Sequence, residues 1–199
     1  MIIAIEGVSC TGKSVLASGL ANRLSWDVVD CYYHVADDPS VLGEPIVTSE
    51  AEQLIALDAH LDVEKERCRQ ARIAAAGRGG VILDRSIDTL LAHLYAIGRL
   101  QHLDAVVKAR AMVGQRVEAG IAVVPDLTVL LTADPAVLAG RAATRPGMPT
   151  IYYDAAYAEH FNRHFDAPIS PRCVRIDTVT GRDQVLGAAL TQIALAGTV

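Results

Sequence analysis

The segment Gly7-Val8-Ser9-Cys10-Thr11-Gly12-Lys13-Ser14 sets a glycine at each end of a short turn and follows it with a lysine and a serine. Glycines so placed let successive backbone N–H groups turn inward around an anion. The ammonium of Lys13 then supplies a point charge for the outer phosphates of a triphosphate, and the Ser14 hydroxyl can ligate Mg²⁺. An apolar run, Met1 to Ile5, precedes the segment, and a helical pattern, Val15 to Leu24, follows it. That strand-then-helix context is the one this spacing requires, because a helix N-terminus adds unpaired donors and partial positive charge. Gly7, Ser9, Cys10, Thr11, Gly12, Lys13 and Ser14 are therefore the expected ligands of a nucleoside triphosphate such as ATP. Cys10 reads as a spectator whose backbone does the binding.

A second constellation closes another apolar run: Val81-Ile82-Leu83 ends on Asp84-Arg85-Ser86. Open α/β sheets bind ligands outside the carboxyl ends of their strands, so Asp84 and Arg85 are expected at the phosphates. Phosphoryl transfer concentrates negative charge on the moving group, and positioned cations carry most of its catalysis. Arg85 answers that need. Asp84 would hold Mg²⁺ through water or position the acceptor. Arg141 and Arg145, four residues apart, share one helix face and can close over phosphates together. His160 and His164 have the same spacing, but with Tyr157, Phe161 and Phe165 around them they read as packing rather than as a metal pair.

These residues need a scaffold that gathers them at one sheet edge. Short apolar runs alternate with longer amphipathic ones, the pattern of a parallel α/β sheet. Strands are expected at Met1–Ile5, Asp27–Cys31, Val81–Asp84, Leu127–Thr132 and Arg172–Asp177. Helices are expected at Val15–Leu24, Glu50–Ala76, Ile87–Ile97, Leu100–Glu118 (the last two broken at Gly98), Tyr152–Phe165 and Asp183–Leu195. Asp134-Pro135 starts one more, with an N-cap acceptor and proline at the first helical position. The run Arg145-Pro146-Gly147-Met148-Pro149 ends that helix and opens a loop, giving a small lid over about 141–152. The expectation is a single α/β domain over 1–199 with five parallel strands.

Composition excludes several classes. A hydrophobic content of 51% with net charge -5 over 199 residues is too apolar for a disordered chain and too acidic for a nucleic-acid binder. No run of about 18 apolar residues is present, so no membrane span is expected. Cys10, Cys31, Cys68 and Cys173 form no C-x-x-C pair, which speaks against a zinc site or disulfide framework and for a cytoplasmic protein. The basic residues are 15 Arg against three Lys, and one of those scarce lysines lies in the glycine-bounded turn.

Taken in order, the motifs resemble the thymidylate kinase and deoxynucleoside kinase family of P-loop kinases. The Asp84-Arg85-Ser86 run resembles that family's D-R-[YS] or E-R-S element, and Gly43-Glu44-Pro45 its Glu-Pro element. Leu138-x-x-Arg141-x-x-x-Arg145 resembles its lid region. The resemblance implies a P-loop fold and transfer of the ATP γ-phosphoryl group to a nucleoside or nucleoside monophosphate. It makes Glu44 the candidate base, with Asp30, closing the second strand, as rival; Tyr32, Tyr33 and His34 would wall the acceptor. The chain departs from thymidylate kinases at Leu57-Asp58-Ala59-His60-Leu61-Asp62-Val63-Glu64, where no arginine precedes Arg67. If that acidic stretch faces the pocket, it repels a monophosphate and suits a neutral or cationic hydroxyl acceptor. A kinase for another hydroxylated metabolite or antibiotic, and a nucleotide-switched regulatory protein, are the alternatives. A homodimer is compatible with this reading; nucleic acid and membrane are not expected partners.

Overall fold

The computed structural model describes residues 1–145 and 149–197. The loop expected to open at Arg145 lies largely outside them, at 146–148. Five strands, β1 (Ile2–Glu6), β2 (Asp27–Val29), β3 (Val81–Asp84), β4 (Leu127–Thr132) and β5 (Cys173–Asp177), form one sheet in the order β2-β3-β1-β4-β5. Every pairing is parallel, with Ile3 opposite Ile82 on one side and Leu127 on the other. A parallel sheet needs crossover helices on both faces, so its central strands are mostly apolar on both faces rather than alternating, with Glu6 and Asp84 only at the carboxyl ends of β1 and β3. Residues 3–6 of β1 are accordingly all buried.

The helices are α1 (Lys13–Leu24), α2 (Tyr32–Val35), α3 (Glu50–Arg78), α4 (Ile87–Gln101), α5 (Val106–Glu118), α6 (Pro135–Ala142), α7 (Ala155–His164) and α8 (Arg182–Ala196). Ile3 and Ile5 pack with Leu16 and Leu20 of α1 and with Val185, Ala189 and Ile193 of α8. Ala4, pointing the other way, meets Cys68 and Ala71 of α3. Each fully buried Leu or Ile here contributes about 1.5–3 kcal/mol of hydrophobic stabilisation.

Local chemistry sets the ends of the elements. Ser49 and Glu52 form a reciprocal capping box that starts α3, and Gly79, at φ 77°, ends it. Gly80 then lets Trp26 pack against the backbone, where an added Cβ would stand 2.3 Å from the indole. Asp134 caps α6 by accepting the Ala136 N–H, with Pro135 at its first position, as expected.

Several boundaries differ from the expectation: β2 stops at Val29 rather than Cys31, α5 starts at Val106 rather than Leu100, and two further differences have a visible local cause. α4 does not break at Gly98 but runs on to Gln101, and His102 ends it in the left-handed region. Gly98 is instead where the reversed chain lands: its carbonyl accepts the Leu103 N–H at 2.8 Å, and a Cβ there would stand 2.8 Å from the Leu103 oxygen. The aromatic segment expected as one helix is split, because Asp154 accepts the Tyr157 N–H and caps α7, leaving Thr150–Tyr153 as a separate 3-10 turn. Among the described residues no helix is long and apolar enough to cross a membrane.

Candidate active site

β1 ends on Glu6, and the chain turns at once. Gly7 has φ 136°, and a Cβ there would stand 2.5 Å from the Leu131 carbonyl oxygen of the neighbouring strand. Only glycine fits that approach. Cys10 and Gly12 also have positive φ, 65° and 96°. The loop is braced from within: the Thr11 hydroxyl donates to the Val8 carbonyl at 2.9 Å, and Lys13 Nζ donates to the same oxygen at 2.8 Å. No side chain caps α1 at Gly12, which leaves that helix's first N–H groups to a ligand. Burial, reinforced by the Arg85 charge, pushes the Lys13 ammonium down to about 7. A buried cation without a carboxylate partner beside an uncapped helix start is a site prepared for an anion.

β3 delivers Asp84 to the same place. The Ser14 hydroxyl donates to Asp84 Oδ2 at 3.0 Å, and Asp84 Oδ1 is buried with no hydrogen-bond partner among the described residues. A hydroxyl and a carboxylate with an unused oxygen, at the mouth of a phosphate loop, are the oxygen donors a hard divalent cation takes. Next to them Arg85 turns the chain with φ 73°, so that it lines the cleft just past the strand end.

That left-handed turn is held by Arg67, which sequence reasoning did not single out. Arg67 is 1% exposed, and its guanidinium donates to the carbonyls of Asp30 (2.9 Å), Asp84 (3.2 Å) and Arg85 (2.6 Å). It also pairs with buried Glu64 at 2.7 Å and lies 4.1 Å from the Tyr32 ring centroid. Tyr32 closes the set by donating its hydroxyl to Glu64 at 2.9 Å. A signal for this existed. Leu57, Leu61, Cys68 and Ala71 mark the buried stripe of α3, and Glu64 falls on it, so a buried charge with a partner one turn away was implied. Glu6 is a second buried acid of this kind: it accepts from the Ser86 N–H and hydroxyl and from Thr89, and burial raises its carboxyl to about 7.

The expected lid arginines have different settings. Arg141 is pinned, donating to the Cys10 carbonyl at 3.2 Å and to the Thr178 hydroxyl and carbonyl at 3.0 and 2.9 Å. It ties the phosphate loop to the end of β5. Arg145 is exposed at the cleft edge.

From the loop the cleft continues toward α3 and α4, with a volume of about 1350 Å³. Tyr32, Tyr33, His34 and Glu44 line it, whereas Asp30 is exposed and is not among the described lining residues. The acidic stretch of α3 does not face the cleft. Asp58 and Asp62 pair with Arg116 at the surface, and Glu64 is committed to Arg67. The helix turns Gln53, Leu57 and His60 inward instead. Those acids therefore neither repel a monophosphate in the cleft nor select a neutral or cationic acceptor.

Gln53 donates to the Leu94 carbonyl at 3.0 Å, and its Oε1 is buried without a partner among the described residues. His93, on α4, shares a hydrogen bond at 2.9 Å with the Tyr157 hydroxyl; burial, with His60 and Arg85 nearby, drives its imidazole down to about 4. Burial lowers His60 as well. His164 pairs with buried Asp88 at 2.8 Å, and His160 packs edge-on to Tyr95.

A five-stranded parallel sheet in this order, with a glycine-bounded phosphate loop after its central strand, is the fold of the P-loop kinases. The chain resembles their nucleoside- and nucleotide-kinase branch. It is 26% identical over 200 residues to the thymidylate kinase of Xylella fastidiosa (strain 9a5c), covering 97% of this chain and 90% of that protein. Its fold superposes on deoxyadenosine kinase from M. mycoides with bound dATP at a TM-score of 0.70 and 13% identity, covering 98% of this chain and all of the other. Thymidylate kinase from Candida albicans superposes at 0.67 with 20% identity, over 98% of this chain and 91% of that one. No protein-family model matches the chain.

Proposed function

We propose that this protein is an ATP-dependent kinase that moves the γ-phosphoryl group to a small nucleoside or nucleotide acceptor. One observation carries the reading: Lys13, the Ser14–Asp84 pair and Arg85, from two separate segments, meet at one end of a single cleft that continues into an aromatic-walled pocket. The kinase relatives in sequence and fold support it.

The loop amides and Lys13 bind and orient the donor phosphates. Ser14 and Asp84, with its unpaired Oδ1, would hold Mg²⁺, which when bound neutralises charge on the phosphate oxygens. Arg85 faces the transferring group, and Arg141, by anchoring the Cys10 carbonyl, keeps the loop in its binding shape. Arg145, exposed at the cleft edge, would reach phosphate from the lid side. As the acceptor oxygen bonds to phosphorus, the bond from phosphorus to the β-phosphate oxygen breaks and ADP leaves. A hydroxyl acceptor passes its proton to Glu44, the cleft-lining carboxylate, rather than to Asp30. Four free cysteines fit the reducing cytoplasm.

The test is transfer of label from γ-labelled ATP. The label should appear covalently on an added acceptor; label found only as inorganic phosphate, whatever acceptor is added, would contradict the reading.

A further inference from the structure

The acceptor end of the cleft is nearly free of fixed positive charge. This inference rests on the kinase reading above and concerns which acceptor that site takes. The cations lining the cleft are Lys13, Arg85, Arg141, Arg145 and Arg182. Lys13 is bonded within the phosphate loop and Arg141 across it to Thr178. Arg145 follows α6, and Arg182 opens α8 beside α1, so both belong to the donor side. Among the described lining residues, Arg85 alone stands between donor and acceptor. Arg67, which is close by in sequence to the cleft residues of α3, is buried, and its guanidinium is committed to Glu64 and three carbonyls.

The rest of that end is neutral or acidic. Glu44 and Asp84 bring negative charge. His60 and His93 are both held below the usual imidazole range by burial, so neither is a cation at neutral pH. His34 sits at the mouth with its Nδ1 3.7 Å from Cys31 Sγ. The walls are aromatic: Tyr33 packs edge-on to His60, and Tyr152 and Tyr157 pack against His93. A monophosphate acceptor would add about two negative charges next to the γ-phosphate and the two carboxylates. Arg85 would then have to serve the acceptor phosphate and the transferring group together. A flat uncharged ring meets no such conflict and gains stacking area.

We propose that the acceptor is an uncharged nucleoside, offering a flat base and a free hydroxyl, and that nucleoside monophosphates are poor substrates. The experiment measures ADP formation by the full chain with ATP and Mg²⁺. Thymidine, deoxycytidine, deoxyadenosine and deoxyguanosine are each set against the matching 5′-monophosphate. At least one nucleoside should be turned over with kcat/KM about tenfold or more above its monophosphate. In Tyr33→Arg, a change at a 44% exposed cleft position that the fold should tolerate, the added cation should shrink that ratio at least about threefold. A monophosphate matching or beating its nucleoside, or an unchanged ratio in Y33R, overturns the proposal while leaving the kinase reading intact. ATP binding that depends on Lys13, with no nucleoside turned over, also overturns it. Absence of ATP binding removes the kinase reading itself.

Discussion

Arg67 Nη2 donates to the Arg85 carbonyl at 2.6 Å, so a fully buried arginine fixes the backbone of the arginine that faces the cleft. Arg85 is a non-glycine residue at φ 73°, a conformation that costs about 1–3 kcal/mol and persists only where surrounding contacts over-determine it. Arg67 provides those contacts and braces β2, β3 and α3 together.

Arg67→Met should therefore destabilise the protein by about 3–5 kcal/mol, because it strands Glu64 as a buried unpaired charge. Adding Glu64→Gln should return much of that loss. Urea unfolding checks both; a single variant within about 1 kcal/mol of the parent would show that the network does not hold the turn.

Asp84→Asn keeps an oxygen for the Ser14 hydroxyl but removes the carboxylate charge. The fold should survive, while the Mg²⁺ concentration for half-maximal rate rises, or the rate falls, by about 10–100-fold. A magnesium titration of the initial rate would expose the opposite result, an unchanged midpoint and rate.

Lys13 titrates at about 7 in the free protein, below its ordinary range, because it is buried. Bound phosphate favours the charged ammonium and raises that value again. ATP binding at about pH 8 should thus take up a proton, and at about pH 6, where Lys13 is already charged, this uptake should vanish. Calorimetry in buffers of different ionisation enthalpy measures it. Lys13→Met should show none at either pH.

Glu6 has the opposite sign. Its folded carboxyl is raised to about 7, so the unfolded chain ionises first as pH climbs. The stability this group contributes is complete below about 4.5 and is lost as pH rises through about 7, at up to about 1.4 kcal/mol per pH unit. Glu6→Gln should flatten stability across that window, as followed by thermal unfolding at a series of pH values.

The sheet and phosphate loop were legible in the sequence because both rest on local rules. Apolar runs alternate with amphipathic ones, and glycines fall where the backbone must take positive φ, as Gly7 and Gly12 do. Asp84 and Arg85 followed from their place at a strand's carboxyl end. The acceptor pocket was not legible, since it depends on which way α3 rolls. A rotation that buries Leu57 and Leu61 brings Gln53 and His60 to the cleft and sends Asp58 and Asp62 to Arg116, and sequence spacing alone leaves that choice open. His93 stayed hidden for the same reason: its importance comes from Tyr157, 64 residues away. Gly98 misled because glycine in a helix reads as a stop, whereas here it makes room for Leu103.

The proposed role of Lys13 is to act on donor phosphates within the cleft. Acceptor-dependent ADP formation, compared between the parent and Lys13→Ala, tests it most directly. The parent should form ADP at a rate that rises with acceptor. Lys13→Ala should keep its far-UV circular dichroism and cooperative unfolding yet lose at least about 10²–10³-fold in rate. A folded Lys13→Ala protein with undiminished acceptor-dependent turnover would contradict the account.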